Sequence, residues 1–118
     1  MDQRRSALDE ALDTEAAEIV NRWIDAQVAA PSFRPDRISR AELSDHSQRF
    51  VALLRQALAS GNTDIHSPAW ANTRELLVEI SESRAHQGFS APETATFIFS
   101  LKETLYDAVR RQLEMAIR

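Results

Sequence analysis

Apolar residues recur at three- and four-residue steps through four stretches of this chain. Outside those stretches they never alternate with period two over five residues. The first stretch carries Leu8, Leu12, Ala16, Ile19, Trp23 and Ile24. The second carries Leu43, Phe50, Leu53, Leu54, Ala57 and Leu58, and the third Trp70, Leu76, Leu77 and Ile80. The fourth, from about Ala91 to Ile117, is the richest. One of its stripes is Ile98, Leu101, Leu105, Ala108 and Met115; another is Phe99, Tyr106, Val109 and Leu113. The pattern predicts four main helices of roughly 18–27 residues, ~27–40 Å each, and no strands. The fold class is all-α, a four-to-five-helix bundle in which short loops make successive helices antiparallel neighbours. The fourth helix is apolar over more than the single stripe that one core face needs. Either it packs on two sides, or it is the central helix of the bundle.

The stops and starts are legible. The chain has two glycines and four prolines, and all of them punctuate. Gly61 follows "VALLRQALAS" and Gly88 follows "LLVEISESRAHQ", each where a left-handed residue ends a helix. Ser67 before Pro68 reads as an N-cap before a first-turn proline. Pro31 and Pro35 bracket "PSFRP", a connector that no helix runs through. Ser39 with Glu42, and Ser90 with Glu93, have capping-box spacing. "SRAHQGFSAPETATF" therefore reads as a helix–helix corner built on Arg84, Gly88, Phe89, Ser90 and Glu93, with Phe89 stapling the corner to the core.

At 118 residues the chain makes one domain, 1–118. Its 43% hydrophobic and 27% charged residues are an ordinary globular balance. The net charge of −4, with basic residues interleaved among acidic ones, offers no footprint for nucleic acid. No apolar run reaches membrane-span length, and "MDQRRSALDE" has no apolar core of a signal peptide. A cytoplasmic location is expected. The absence of cysteine excludes disulfides, thiolate metal sites and a cysteine nucleophile.

Candidate chemistry is sparse. His46, His66 and His86 lie on three different segments, so no metal-ligand pair shares a helix. His46 falls on the buried stripe of the second helix and is expected as a boundary histidine with a hydrogen-bonded ring. As a haem or small-molecule site the candidates are His46, Trp23, Phe50 and Phe97. Arg84 falls at a core-facing azimuth, with its guanidinium expected to bond helix carbonyls or Glu93. No carboxylate pair, nucleophile elbow or phosphate loop appears, so no enzyme and no cofactor are expected.

From Ile38 onward, "ISRAELSDHSQRFVALLRQALASG", "SPAW" and "RELLVEISESRAHQGFSAPETATFIFSLKE" resemble the N-terminal domain of RsbR-type co-antagonists of the RsbT kinase. "EIVNRWIDAQ" fits that family's first helix, and the resemblance spans about 15–118. It implies a helical domain, globin-like but without haem, that forms homodimers. It also implies a stress-signalling role in a stressosome. There the domain stands ahead of a STAS domain, or a histidine kinase, in the same chain and meets the switch kinase only indirectly. Family phosphoacceptors belong to linker and STAS segments, so none is carried over. Because "EMAIR" is still helical in pattern, the sequence is expected to be cut from a longer chain. The dimer is expected to pack through Leu12, Ile19, Leu101, Leu105, Val109 and Leu113, passing a signal along the fourth helix. The alternative is a small-molecule- or haem-binding sensor.

Overall fold

The computed structural model describes residues 7–31 and 33–117. "MDQRRS", Ser32 of the connector and Arg118, all placed in the domain by the sequence, lie outside the described residues. Four α-helices follow in order: α1 (Ala7–Ala29), α2 (Arg40–Ala59), α3 (Ala71–His86) and α4 (Ala91–Ala116). A 3₁₀ turn, Pro68–Trp70, leads into α3. There is no strand among the described residues. The fold is all-α, as the periodicity predicts.

The helix ends follow from named residues. Ser39 Oγ accepts from the Glu42 backbone N–H at 3.0 Å and starts α2. Ser90 and Glu93 form the full reciprocal box at the start of α4, with Pro92 in the first turn. Gly61 and Gly88 both have positive φ, +78° and +87°, where an L-residue is strained.

The helices are stacked in a row more than in a closed ring. α1 packs along α4 on one side and α2 on the other, and α2 in turn packs on α3. The slab measures 48 × 34 × 22 Å. Its radius of gyration, 15.1 Å, exceeds the ~13.5 Å typical of a compact domain this long. The central helix is therefore α1 and not α4. Ala11, Leu12, Ile19, Trp23 and Ile24 fall in the core from α1 alone. α4 lends the core only one side, through Phe97, Leu101 and Ala108.

Trp23 is the hub of that core. It is fully buried. Its indole Nε1–H donates to the Phe97 carbonyl at 2.9 Å and to Ser100 Oγ at 3.1 Å. Its ring meets Phe50 of α2 edge-on at 5.8 Å and Phe97 of α4 at 4.8 Å. One turn on, Gln27 Nε2 donates to Ser47 Oγ at 3.1 Å and ties α1 to α2.

α1 is not straight. Glu15 leaves the helical region (φ −122°, ψ 19°). Just before it the Thr14 hydroxyl donates back to the Glu10 carbonyl at 2.8 Å, a side-chain bond that bends helices. Across the seam Arg111 and Gln112 of α4 donate to the Glu15 carboxylate at 2.9 and 2.8 Å. The Arg111 bond, then the Gln112 bond, holds the Glu15 carboxyl below its ordinary range. The apolar repeat contains no sign of this bend, because Leu12 and Ile19 stay in register on either side of it.

Trp23→Phe keeps most of the apolar contact and removes the donor to α4. It should lower the unfolding free energy by about 1–3 kcal/mol in urea melts, with an unchanged denaturant slope.

Candidate functional site

The pole where α1 ends and α4 begins gathers most of the unusual chemistry. α3 stops there in a Schellman motif: the Phe89 N–H donates to the Arg84 carbonyl at 3.0 Å, and the Gly88 N–H to the Ala85 carbonyl at 3.1 Å. The α1–α2 connector then crosses over this corner. Arg37 Nη1 donates to the carbonyls of Gln87 (3.3 Å) and Gly88 (3.2 Å). Arg34 Nη2 reaches the Glu93 carboxylate at 3.2 Å. Glu93 also accepts from the Ser90 backbone N–H at 2.8 Å. That bond, with the Ser90 hydroxyl and Arg34, holds the Glu93 carboxyl below its ordinary range. Glu42 does not close the capping box of α2; its carboxylate instead accepts from Gln87 Nε2.

Arg34 and Arg37 thus hold the corner, the role the sequence reading expects of Arg84. Both lie in a connector without periodicity. The readable signal was two arginines packed between Pro31 and Ile38. Phe89 does rest against the core. Its staple partner position holds Thr94, so the contact is with the core and not with an apolar residue at that position.

Arg84 has gone inward. It is only 4% exposed, and its Nη2 has no hydrogen-bond partner. It does not pair with Glu93, whose oxygens are taken by Ser90 and Arg34. Its guanidinium lies 4.9 Å from the Phe97 ring centroid and 6.0 Å from that of Phe89. Burial pushes its pKa below the ordinary value, with the charge of Glu42 opposing. A guanidinium starts so high that it stays cationic. Beside it a cavity of about 40 Å³, open at its mouth, is lined by Gln27, Phe33, Arg84, Phe89, Thr96 and Phe97, among others.

His46 is buried, and its Nδ1 has no partner, contrary to the expected hydrogen-bonded ring. Burial, then the charge of Arg84, pushes it below the ordinary histidine range; Arg49 adds to this, and Glu42 and Asp45 oppose. As haem candidates, His46, Trp23, Phe50 and Phe97 do not frame a ring-sized space. Trp23 and Phe50 are filled in against each other, and only Phe97 reaches the cavity. Among the described residues no three of His, Asp and Glu gather as a metal-ligand set.

The expected dimer residues divide. Leu12, Ile19 and Leu101 are buried in this chain's own core and cannot meet a second one. Leu105 and Val109 are half-buried. Leu113 is 54% exposed, and the other open large apolar residues of α4 are Phe99 at 66%, Tyr106 at 68% and Met115 at 65%. Apolar identity alone could not tell which α4 stripe α1 covers.

The family model for the RsbT co-antagonist protein rsbRD N-terminal domain matches residues 17–117. The chain belongs to this family. It is accordingly a regulatory N-terminal domain of the stressosome type. No curated protein and no solved structure matches it. The match begins just after the Glu15 bend, and the corner and cavity of this rsbRD-type domain lie wholly inside it. No helix among its described residues is long and apolar enough to cross a membrane.

Two measurements probe this pole. Gly88→Ala should destabilise by about 1–2 kcal/mol, since it adds a Cβ at positive φ and drives it into the Arg37 guanidinium. Gly61→Ala, whose Cβ meets open space, should cost about 1 kcal/mol or less. Their urea midpoints give the ranking. For His46 the folded pKa lies below the unfolded value of 6.5. As pH falls through that value the unfolded chain takes up a proton that the folded protein resists. Stability therefore declines with acidification there. His46→Gln should flatten the midpoint-versus-pH curve over that interval, above the range where Glu15 and Glu93 contribute.

Proposed function

We propose that this domain is a non-catalytic sensory module of stress-response signalling. In this reading it works in the cytoplasm as a homodimer and passes its signal along α4 into a C-terminal effector, a STAS domain or a kinase. The switch kinase is reached through that effector and not by the domain itself. The observation that carries the reading is the outer face of α4. Phe99, Tyr106 and Leu113 repeat every seven residues, are more than half exposed, and lie across the helix from the buried Phe97, Leu101 and Ala108. A heptad-spaced apolar stripe on one long helix suits another copy of the same helix. Polar neighbours Lys102, Glu103 and Asp107 flank Phe99 and Tyr106, as charged positions flank a helical seam. α4 would then be held on one side by its own α1 and on the other by its partner. A change in α1–α4 packing would alter the seam between protomers.

The test is sedimentation at tens of micromolar. The wild-type domain should run as a dimer, and Phe99→Asp with Tyr106→Asp as a monomer of unchanged helicity by circular dichroism. A wild-type protein that is monomeric under these conditions sinks the dimer. A double variant that still dimerises moves the interface off this face.

A further inference from the structure

The buried guanidinium of Arg84 is left over by everything described so far. It does not hold the corner, and it lies on the side of the molecule away from the outer face of α4. A buried cation without a hydrogen-bonded counter-ion is costly. Relief from within its pole is partial: the Phe97 and Phe89 ring faces lie against it, but no carboxylate is hydrogen-bonded to it. Glu93 is committed to Ser90 and Arg34. Glu42 acts on Arg84 only through its charge, while its carboxylate accepts from Gln87. His46 faces the same region as a second cation-forming group and cannot neutralise it. A second orphan stands nearby: Gln27, 7% exposed, lines the same cavity with Oε1 unpartnered.

We propose that this cavity is a binding site for a small organic carboxylate, its head paired with Arg84 and its short apolar body lying against Phe33, Phe89 and Phe97. The guanidinium fork matches a planar carboxylate. The volume, about 40 Å³, holds roughly three waters' worth of atoms, the size of a carboxylate with a carbon or two, and the open mouth admits a longer tail. Arg84 is the single cation of a mostly apolar lining; the Thr94, Thr96 and Ser100 hydroxyls there donate to helix carbonyls and Glu93 adds a negative charge, so a planar monoanion suits the site better than a multiply charged phosphate, which needs more donors. A hydroxyl or water accompanying the ligand gives Gln27 Oε1 the donor it lacks. The site bridges all the parts of this pole: α1 through Gln27, the connector through Phe33, the α3 corner through Arg84 and Phe89, and α4 through Phe97. Occupancy would neutralise the charge and draw α3 and α4 onto the end of α1. This deepens the sensory reading above by naming the class of its input, and it rests on that reading for its purpose. The two fail separately, since binding is measurable on the monomeric Phe99/Tyr106 variant.

The experiment is a ¹⁵N–¹H titration of the domain with sodium acetate, propionate and lactate, against acetamide, sodium chloride and sodium phosphate at matched ionic strength. The carboxylates should give saturable shifts with millimolar Kd, as expected for ligands of so few atoms. The shifts should centre on Gln27, Ala30, Phe89, Thr96 and the Trp23 indole N–H. Arg84→Met should weaken binding by at least about tenfold. Its ligand-free melting temperature should match or exceed the wild type's, because the unpaired charge is gone; a purely structural Arg84 predicts a fall. Arg84→Lys keeps the charge without the fork and should bind more weakly than wild type. Ala30→Leu fills the cavity without touching the charge and should abolish the shifts, so it decides the matter should Arg84→Met not fold. Equal shifts with acetamide or chloride, tighter binding of phosphate, full binding by Ala30→Leu, or no saturable shift at all overturns the assignment.

Discussion

The indole of Trp23 decides how the rest of the domain is arranged. Its donated bonds run only to α4 and its ring contacts run to both α2 and α4. A tryptophan buried in this way needs a partner for its N–H. The Phe97 carbonyl supplies it while also accepting from the Ser100 hydroxyl at 2.8 Å. Satisfying the indole fixes the height of α4 along α1. That height in turn sets which α4 residues fall beneath α1 and which face outward. The arginine–glutamate seam at Glu15 sits about eight residues away on α1, at the far end of the same helix pair. The two contacts together leave α4 little freedom to slide.

Much of this was readable. The helix starts at Ser39 and Ser90, the stops at Gly61 and Gly88, and the inward azimuth of Arg84 follow from spacing, because each is a local event within four residues. What was not readable is non-local. Which helix is central depends on the summed packing of four helices, and the richness of α4 left open whether it was the central helix or one that packs on two sides. Its apolar surplus turned out to lie on the solvent side. Leu12, Ile19 and Leu101 are as apolar as Leu113, and only the placement of α1 separates core from surface. The same holds at the corner. Glu93 had a cap to make and one oxygen to spare, and the sequence did not say that Arg34, fifty-nine residues earlier, would take it.

Several polar atoms at one pole lack partners: Gln27 Oε1, His46 Nδ1, Arg84 Nη2 and Gln87 Oε1. Native interiors rarely leave such groups unpaired. Among the described residues four of the five such atoms lie toward the pole where α3 ends and α4 begins, and the fifth, Ser67 Oγ, lies at the other end of α3. The domain's two ends therefore carry unsatisfied polar groups unequally. Local consistency fails most often where function is placed. A fold that kept its polar groups satisfied throughout would be more stable and less responsive.

α4 joins those two ends as a single unbroken rod. Its 26 residues span about 39 Å, and α1 bears on it along one side only. Such a rod is a lever. With the Trp23 contact at Phe97 as fulcrum, the arm to the far tip is about 28 Å, and a tilt of about four degrees displaces that tip by ~2 Å. Displacements of that size at subunit boundaries are enough to switch packed interfaces. The short arm lies beside the arginine-lined cavity and the long arm carries Tyr106, Leu113 and Met115. In the sensory reading proposed above, the placement of one tryptophan would set a mechanical advantage, trading force at the crowded pole for travel at the other.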